Sequence, residues 1–498
     1  MPTVEKTTDA CDSQAQTRNL DQHLVRGLAW TGAVKWGGQL ATWAATIVVA
    51  RLLTPADYGL IGMANLYLGL VALISEFGIG TAIVSIDDLG ETHLRQLNTV
   101  SFLVGLIGVL ASAAAALPLA RFFHTPKLSL VLIVMSSAFL ISSLQTVANA
   151  ALQRQLRFKL LAGLEGSKAL VTSGASIALA YFGAGYWTLV FGGILGTLVA
   201  TVLTFYARPV SFSIPKLSDI KHALKFSNDI LITRFSWYTF DNADFLIAGR
   251  VLGQAALGTY TLAWSVAGLP VEKIASLFGR VSPAFFSAVQ KDNAALRRYL
   301  LGLTEPLATA AFPVSIGIAV IASDLIALAF GPKWSGAVWP LRLLMIAMTF
   351  RGLALLMPFV LNVKEQTRFM MWSTVACAVI LPAGFYFGSF WGISGIAAMW
   401  TILYPILRVP MFQRTFKVID LQVKDYLRTI WPALSSSILM GAAVWGTSVL
   451  VKDAQSIVLR LTVQVSVGVM SYLLCMFGLH RAATVRMMGV IRNFRNRG

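Results

Sequence analysis

The sequence predicts an all-α polytopic membrane protein with about 14 transmembrane helices, and three observations point to this class. The chain of 498 residues is 56% hydrophobic and only 12% charged, whereas a soluble protein of this length carries roughly 25% charged residues. Apolar stretches of about 20 residues, long enough to cross a bilayer as helices, recur along the sequence. Most of the Lys and Arg residues behind the net charge of +18 lie between these stretches, which indicates membrane orientation rather than nucleic-acid binding.

The apolar stretches can be followed in order from the N-terminus. Residues 1–24 are polar and lack the basic-then-apolar order of a cleaved signal peptide, so the first apolar stretch is predicted to be a retained transmembrane helix. The seventh span departs most from a purely apolar helix because it contains Asp229, Arg234, Asp241 and Asp244 in addition to the terminal Arg250. The predicted spans are 27–50, 58–85, 97–120, 128–151, 160–182, 186–206, 226–250, 257–280, 300–322, 341–362, 369–388, 391–412, 429–451 and 456–480.

The distribution of basic residues predicts the orientation in the membrane. Loops on the side of the N-terminus contain several times as many Lys and Arg residues as the loops on the other side. Because basic loops stay in the cytoplasm, both termini are predicted to be cytoplasmic. The basic tail 481–498 would then lie against anionic lipid headgroups.

Two similar stretches indicate an internal repeat. Residues 50–59 read ARLLTPADYG and leave span 1 for span 2, whereas residues 249–258 read GRVLGQAALG and leave span 7 for span 8. Arg51 matches Arg250, and Gly59 matches Gly258. A repeat unit of six helices enters the membrane the same way in both copies, so the halves should be related by an axis along the membrane normal, with a cavity between them.

The repeat and the spans together define the predicted domain organisation. Spans 13 and 14 lie outside the repeat. The predicted parts are a polar cytoplasmic N-terminus (1–24), an N-terminal six-helix bundle (25–207), a cytoplasmic linker (208–225), a C-terminal six-helix bundle (226–413), helices 13 and 14 (414–480) and a basic cytoplasmic tail (481–498).

The sequence carries no motif for covalent chemistry. The five histidines are scattered, and the three cysteines lie far apart and match no metal-ligand spacing. The longest predicted non-cytoplasmic loop has about 17 residues (323–339), which is short for a loop with its own active site. We therefore expect neither an enzyme nor a cofactor or metal site, and no nucleic-acid partner.

Charged residues inside the spans are the candidate functional residues, because each needs a counter-charge, water or a substrate there. Lys35, Arg234 and Arg351 have no opposite charge within one helical turn. One interpretation is a cationic pocket for phosphate or an acidic sugar. The alternative is structural pairing of these cations with acidic residues inside the spans: Glu76, Asp241, Asp244 or Glu305.

The acidic residues allow a second hypothesis. Asp241 and Asp244 are three residues apart and should share a helix face, so they need a cation such as Arg234 or Lys35, or else one of them binds a proton or sodium ion. Glu76, just before two glycines, is a candidate gating residue. Glu165 and Lys168, also three apart, are predicted to form an ion pair on one helix.

Three stretches resemble one family of membrane proteins. Residues 50–60 (ARLLTPADYGL), 76–84 (EFGIGTAIV) and 241–260 (DNADFLIAGRVLGQAALGTY) are similar to motifs of the polysaccharide-transporter (Wzx-like) branch of the MOP flippase superfamily. The resemblance covers about residues 25–420. The exopolysaccharide type, colanic-acid-like or xanthan-like, is the most similar. The peptidoglycan-precursor flippases share the predicted helix number but not these stretches.

The resemblance implies a fold and a function. The two six-helix bundles would form a V, and the protein would flip an undecaprenyl-pyrophosphate-linked oligosaccharide across the bacterial inner membrane by alternating access. Its partners would be this lipid-linked substrate, membrane lipids and the polysaccharide polymerase and export machinery. The resemblance also leaves room for a lipid groove lined by helices 13 and 14. Two other hypotheses are a cation-coupled small-molecule antiporter of the multidrug type and a membrane enzyme of glycan assembly.

Overall fold

The regular structure is helical throughout the described part of the chain. The computed structural model describes residues 37–75, 80, 83, 90–215, 237–451 and 456–481. Residues 37–52 and 237–241 are helical. The other helices of four or more residues are, in order, α1 (Pro55–Ser75), α2 (Glu91–Phe122), α3 (Lys127–Arg154), α4 (Phe158–Tyr181), α5 (Trp187–Ala207), α6 (Ala243–Ile247), a π-turn (Ala248–Leu252), α7 (Gln254–Ala288), α8 (Asn293–Ala329), a 3₁₀ turn (Pro332–Ala337), α9 (Val338–Ala354), α10 (Met357–Val363), α11 (Thr367–Gly388), α12 (Gly392–Val418), α13 (Val423–Leu450) and α14 (Ile457–Gly478).

Many of these helices have the length and composition of membrane spans. Within the described ranges, nine helical stretches of at least 18 residues are apolar enough to cross a bilayer, and one of them, Thr367–Val418, contains both α11 and α12. Large apolar side chains lie exposed on the helices, such as Ile107 and Leu110 on α2 and Leu474 on α14, as expected where lipid replaces water. The prediction of a multi-pass, all-helical membrane protein is confirmed. The number of 14 spans stays a prediction.

The chain packs as two compact units. Unit 1 comprises residues 1–53 and 64–235, and unit 2 comprises residues 54–63 and 236–498. The beginning of α1 therefore belongs to unit 2 and the rest of this helix to unit 1.

In unit 1, α2 packs on α3, and α4 packs on α5. Small residues allow the second pair to approach closely, because a Cβ atom on Gly192 or Gly196 of α5 would overlap with the side chains of Ser176 and Thr172 on α4. Ser and Thr hydroxyls of these helices donate to carbonyls one turn earlier, as Thr197 does to Gly193. This bonding satisfies a polar group that has no water to bind in a bilayer.

In unit 2, helices α13 and α14 pack against α8. Arg460 of α14 forms an ion pair with Asp324 of α8, with Nη2 and Oδ1 2.5 Å apart, and Gln464 Nε2 donates to the other oxygen of the same carboxylate at 3.0 Å. Farther along α14, the Tyr472 hydroxyl donates to the Thr309 carbonyl at 2.9 Å. Polar contacts thus hold α14, one of the two helices outside the predicted repeat, against α8.

The two copies of the repeated motif contact each other within unit 2. A Cβ atom on Gly59 would overlap with the carbonyl of Gln254, and a Cβ atom on Gly258 would overlap with the carbonyl of Pro55. The same offset of 199 residues relates Gly59 to Gly258 and Pro55 to Gln254. The contact is therefore reciprocal, and it explains why both copies of the motif have glycine at this position. The superposition of whole six-helix bundles stays a prediction.

Candidate functional site

The candidate site lies in unit 2, between residue 237 and the start of α7, where the helical structure is interrupted. Residues 237–241 are helical, the chain bends at Asn242, and α6 follows. After the π-turn the segment ends at Gly253, whose φ of 85° favours glycine. Interrupted helices in membranes expose backbone and side-chain polar groups, and they are typical of substrate and ion sites in transporters.

Asp244 is held by three hydrogen-bond donors. Its side chain is fully buried. The Tyr260 hydroxyl donates to Oδ2 at 2.7 Å, and the Trp400 indole Nε1 donates to the same oxygen at 2.8 Å. The Phe245 backbone amide donates to Oδ1 at 2.9 Å. Because an ionised carboxylate only accepts hydrogen bonds, this arrangement suits the charged form of Asp244.

Asp241 forms an ion pair with Arg351 of α9. Oδ1 of Asp241 and Nη2 of Arg351 are 2.7 Å apart, and the two side chains are 14% and 28% exposed. The pair is neither fully buried nor open to solvent, so a ligand or water that enters the site can reach it. Truncating one partner would leave a largely desolvated charge without its counter-charge, which is costly.

Aromatic rings join the two aspartates into one cluster. The Arg351 guanidinium lies 5.9 Å from the ring centroid of Trp264 and 5.7 Å from that of Trp400, within the range of cation–π interaction. The two indole rings pack at a centroid distance of 5.3 Å. Trp400 thus contacts Arg351 with its ring face and Asp244 with its N–H. We call Asp241, Asp244, Tyr260, Trp264, Arg351 and Trp400 the aspartate–arginine cluster.

The cluster contains two carboxylates and one cation. If all three groups are ionised, the cluster has one more negative than positive charge, and a proton or a small cation would neutralise it. The hydrogen-bond donors around Asp244 offset part of this imbalance. The two carboxylates can therefore bind a proton or a small cation, and Arg351 can bind an anionic ligand.

The structure brings together three of the six predicted site residues: Asp241, Asp244 and Arg351. Arg351 forms a structural ion pair, which was one of the two interpretations of this residue. Its partner is Asp241. The bend at Asn242 interrupts the helix between the two aspartates, so the uninterrupted helix face expected for them is wrong, and each carboxylate has its own partners. Lys35, Glu76 and Arg234 lie outside the described residues.

Sequence reasoning missed the partners of Asp244. Tyr260 lies at the end of the 241–260 stretch that carries the family resemblance, so its position in that motif was an available signal. Trp400 is 156 residues from Asp244, and no sequence pattern links the two. The predicted ion pair between Glu165 and Lys168 is also wrong, because the structure describes both residues and does not pair them.

Comparison with known proteins places the chain in a family. Residues 48–339 match the family model described as "Polysaccharide biosynthesis protein", and the chain belongs to this family. The resemblance of its motifs to the polysaccharide-transporter branch of the MOP superfamily is thereby confirmed.

Relatives with known names agree with this assignment. The chain is 25% identical over 356 residues to an "uncharacterized membrane protein in cps region" of Klebsiella pneumoniae, which covers 70% of this chain and 73% of the relative. It is 23% identical to the "lipopolysaccharide biosynthesis protein WzxC" of Escherichia coli K12 and 24% identical to the "teichuronic acid biosynthesis protein TuaB" of Bacillus subtilis 168. Each of these two alignments covers 80% of this chain and 84% of the relative.

Solved structures show the same fold at low sequence identity. The lipid II flippase MurJ in an inward closed conformation matches with a TM-score of 0.71 and 13% identity, over 91% of this chain and 99% of MurJ. An inward-facing MATE-family multidrug transporter of the MOP superfamily matches with a TM-score of 0.61 and 17% identity, over 77% of this chain and 94% of the transporter. At these identities the likeness shows the fold alone.

Proposed function

We propose that the protein flips an undecaprenyl-pyrophosphate-linked oligosaccharide repeat unit across the bacterial inner membrane by alternating access, as a step of exopolysaccharide biosynthesis. Membership of the polysaccharide biosynthesis family carries this proposal, because the named relatives of comparable length belong to the synthesis of surface polysaccharides. The protein would be a transporter and would make or break no covalent bond.

The charges inside the membrane fit such a substrate. A pyrophosphate group carries negative charge, which hydrocarbon excludes at high cost. Arg351 offers a planar guanidinium that suits phosphate oxygens, and in this proposal the phosphate competes with Asp241 for it. Lys35 and Arg234, the other two predicted cations, lie outside the described residues and stay candidate phosphate-binding residues.

Coupling to a proton or sodium gradient is a further part of the proposal. A proton or sodium ion bound at Asp241 would weaken its hold on Arg351, and Arg351 would then be available to the substrate. A proton or sodium ion bound at Asp244 would remove one of the two negative charges that repel an anionic substrate. Binding of the anionic lipid and of the cation would therefore favour each other, which is the reciprocity expected of linked sites. Glu76 stays a candidate gating residue.

Location and partners follow from the same proposal. The protein would lie in the inner membrane with both termini in the cytoplasm, where lipid-linked repeat units are assembled. Membrane lipids would surround it, and the polymerase and export machinery would receive the flipped substrate on the other side.

A gene deletion tests the proposed function. The deletion strain should accumulate the lipid-linked repeat unit and lose exported polysaccharide, as measured by mass spectrometry of extracted lipids and by sugar analysis of the medium. A strain that exports normal polysaccharide and accumulates no lipid-linked sugar would contradict the proposal.

The second candidate is a cation-coupled antiporter of the multidrug type, and the two carboxylates of the aspartate–arginine cluster favour it. The same deletion distinguishes the two candidates. Loss of resistance to toxic organic cations, with unchanged polysaccharide, would support the antiporter, whereas unchanged resistance with lost polysaccharide would support the flippase.

A further inference from the structure

Lys168 of unit 1 is a charged residue for which the described part of the chain offers no partner. Lys168 is the eleventh residue of α4, so it lies about 15 Å from the nearer end of the helix and near the middle of a bilayer crossed by it. The side chain is exposed, and the structure gives its ammonium group no hydrogen-bond acceptor and no carboxylate among the described residues. A cation at this depth requires water or an anionic ligand.

Lys168 is one of the residues that line a pocket of about 200 Å³ between α1, α2, α3, α4 and α5. We call this space the lysine pocket. Besides Lys168, its polar lining consists of hydroxyl groups from three helices: Ser101 of α2, Ser142, Ser143 and Thr146 of α3, and Thr197 of α5. Lys168 is the charged residue of this lining, and no acidic side chain lines the pocket within the described chain.

The hydroxyl groups have already used their protons. Ser142 donates to the Phe139 carbonyl at 3.2 Å, and Thr146 donates to the Ser142 carbonyl at 3.1 Å. Ser101 donates across to the carbonyl of Ser143 at 3.1 Å. What these oxygens offer to a ligand is therefore their remaining lone pairs, which accept hydrogen bonds.

The pocket thus combines one cation with several acceptors. A bare phosphate fits this set poorly, because its oxygens would face hydroxyl lone pairs as well as the ammonium group. A sugar ring fits better, because its hydroxyl groups donate to the acceptors. An anionic group next to the ring would pair with Lys168.

We propose that the lysine pocket binds one sugar ring with an adjacent anionic group, with Lys168 contacting the anion and the hydroxyls of Ser142 and Thr146 accepting from the ring. The proposal rests on the proposed function and makes its substrate class more specific. The anion has two possible sources in a lipid-linked oligosaccharide: a carboxylate on a sugar of the repeat unit, or the phosphate attached to its first sugar.

Binding of small probes to the purified protein tests the proposal separately from transport. The probes are methyl glucuronide for a sugar carboxylate, glucose 1-phosphate for a sugar phosphate and methyl glucoside as the neutral ring, each measured by saturation-transfer NMR in detergent. Wild-type protein should bind at least one anionic probe, and the neutral ring should bind at least about tenfold more weakly because it lacks the charge-assisted contact. The stronger of the two anionic probes identifies the source of the anion.

Variants of one helix provide the control. Lys168→Met should weaken binding of the preferred anionic probe at least about tenfold, and Thr146→Val should weaken binding of both anionic and neutral rings. Lys159→Gln removes a cation from the first turn of α4, away from the lysine pocket, and should leave binding unchanged. Folding of each variant is checked by size-exclusion chromatography and circular dichroism.

Two results would overturn the proposal: equal binding of the anionic probe by wild-type protein and a folded Lys168→Met variant, or equal binding of neutral and anionic rings by wild-type protein. Failure of the proposed function has a different signature, which is the absence of accumulated lipid-linked sugar in the deletion strain. Because the probes contain no lipid and require no transport, the binding result stands by itself.

Discussion

Removal of one hydrogen-bond donor from Asp244 should cost more than an ordinary hydrogen bond. Tyr260→Phe deletes the hydroxyl that donates to Oδ2 at 2.7 Å and keeps the ring, which packs against Phe245 at a centroid distance of 5.3 Å. Both Tyr260 and Asp244 are fully buried, so water does not replace the lost donor. Hydrogen bonds to charged groups contribute about 1.5–3 kcal/mol, and we expect a loss of this size in the free energy of unfolding.

The free energy of unfolding is measured by reversible unfolding in mixed micelles titrated with SDS, with a reporter of unfolding placed in unit 2. A matched control is Tyr472→Phe, because Tyr472 also lies in unit 2 and donates to a neutral backbone carbonyl, that of Thr309, at 2.9 Å. This control should cost only about 1 kcal/mol. In a background with Asp244→Asn, where the acceptor is neutral, Tyr260→Phe should fall to the same size.

The difference between the two backgrounds is the coupling energy of Tyr260 with the charge of Asp244. An identical cost of Tyr260→Phe with aspartate and with asparagine at position 244 would refute the interpretation that Tyr260 and Trp400 stabilise a buried carboxylate.

Three further predictions concern the repeat, the ion pair and the topology. Gly59→Ala should lower the amount of folded protein in membranes, because the new Cβ atom overlaps with a backbone carbonyl. Gly193→Ala on α5 should not, because nothing lies within 4 Å of its Cβ position. Quantitative immunoblotting measures both variants, and equal amounts would contradict the reciprocal contact. Arg351→Gln alone should reduce the free energy of unfolding by about 3–5 kcal/mol because it leaves the Asp241 charge without its partner. Adding Asp241→Asn to the same protein should restore most of this loss. Absence of such rescue in thermal unfolding would show that the ion pair contributes little. A cysteine placed at Phe390, which is 69% exposed in the turn between α11 and α12, should react with membrane-impermeant thiol reagents from outside the cell, and reaction only from the cytoplasmic side would invalidate the predicted orientation.

Hydrophobicity alone predicts much of this fold. In the described part of the chain the long apolar stretches became helices, and the short connection between the predicted spans 160–182 and 186–206 contains Gly183, whose φ is 74°. What the apolar pattern does not predict is where a helix is interrupted. The bend at Asn242, the π-turn before Gly253 and the change from α9 to α10 near Leu355 all fall inside or at the end of stretches predicted as single spans. In a bundle the neighbouring helices decide whether such a break is tolerated.

The candidate site was predicted in part for an electrostatic reason. Asp241, Asp244 and Arg351 could be selected because a charge in an apolar span always requires an explanation. Trp400 could not be selected, since tryptophan is common in membrane helices and its contact with Asp244 joins distant parts of the chain.

Lys168 shows the limit of local rules. Spacing by three residues allows an ion pair with Glu165, but Lys168 has no such pair and lines a pocket together with residues of four other helices. Only the tertiary packing determines which of these environments a long side chain adopts. The same packing turned a residue expected to be structural into the basis of a proposed binding site.

Transport in a purified system tests the central proposal most directly. Liposomes would contain the purified protein and the lipid-linked oligosaccharide extracted from the deletion strain, and a membrane-impermeant glycosidase would report how much of the sugar is accessible from outside. The account predicts that the accessible fraction rises with time above the level in protein-free liposomes, and that Arg351→Ala slows the rise. An accessible fraction that stays at the protein-free level, in vesicles whose wild-type protein is shown to be folded and correctly inserted, would contradict the proposal that this protein is a flippase.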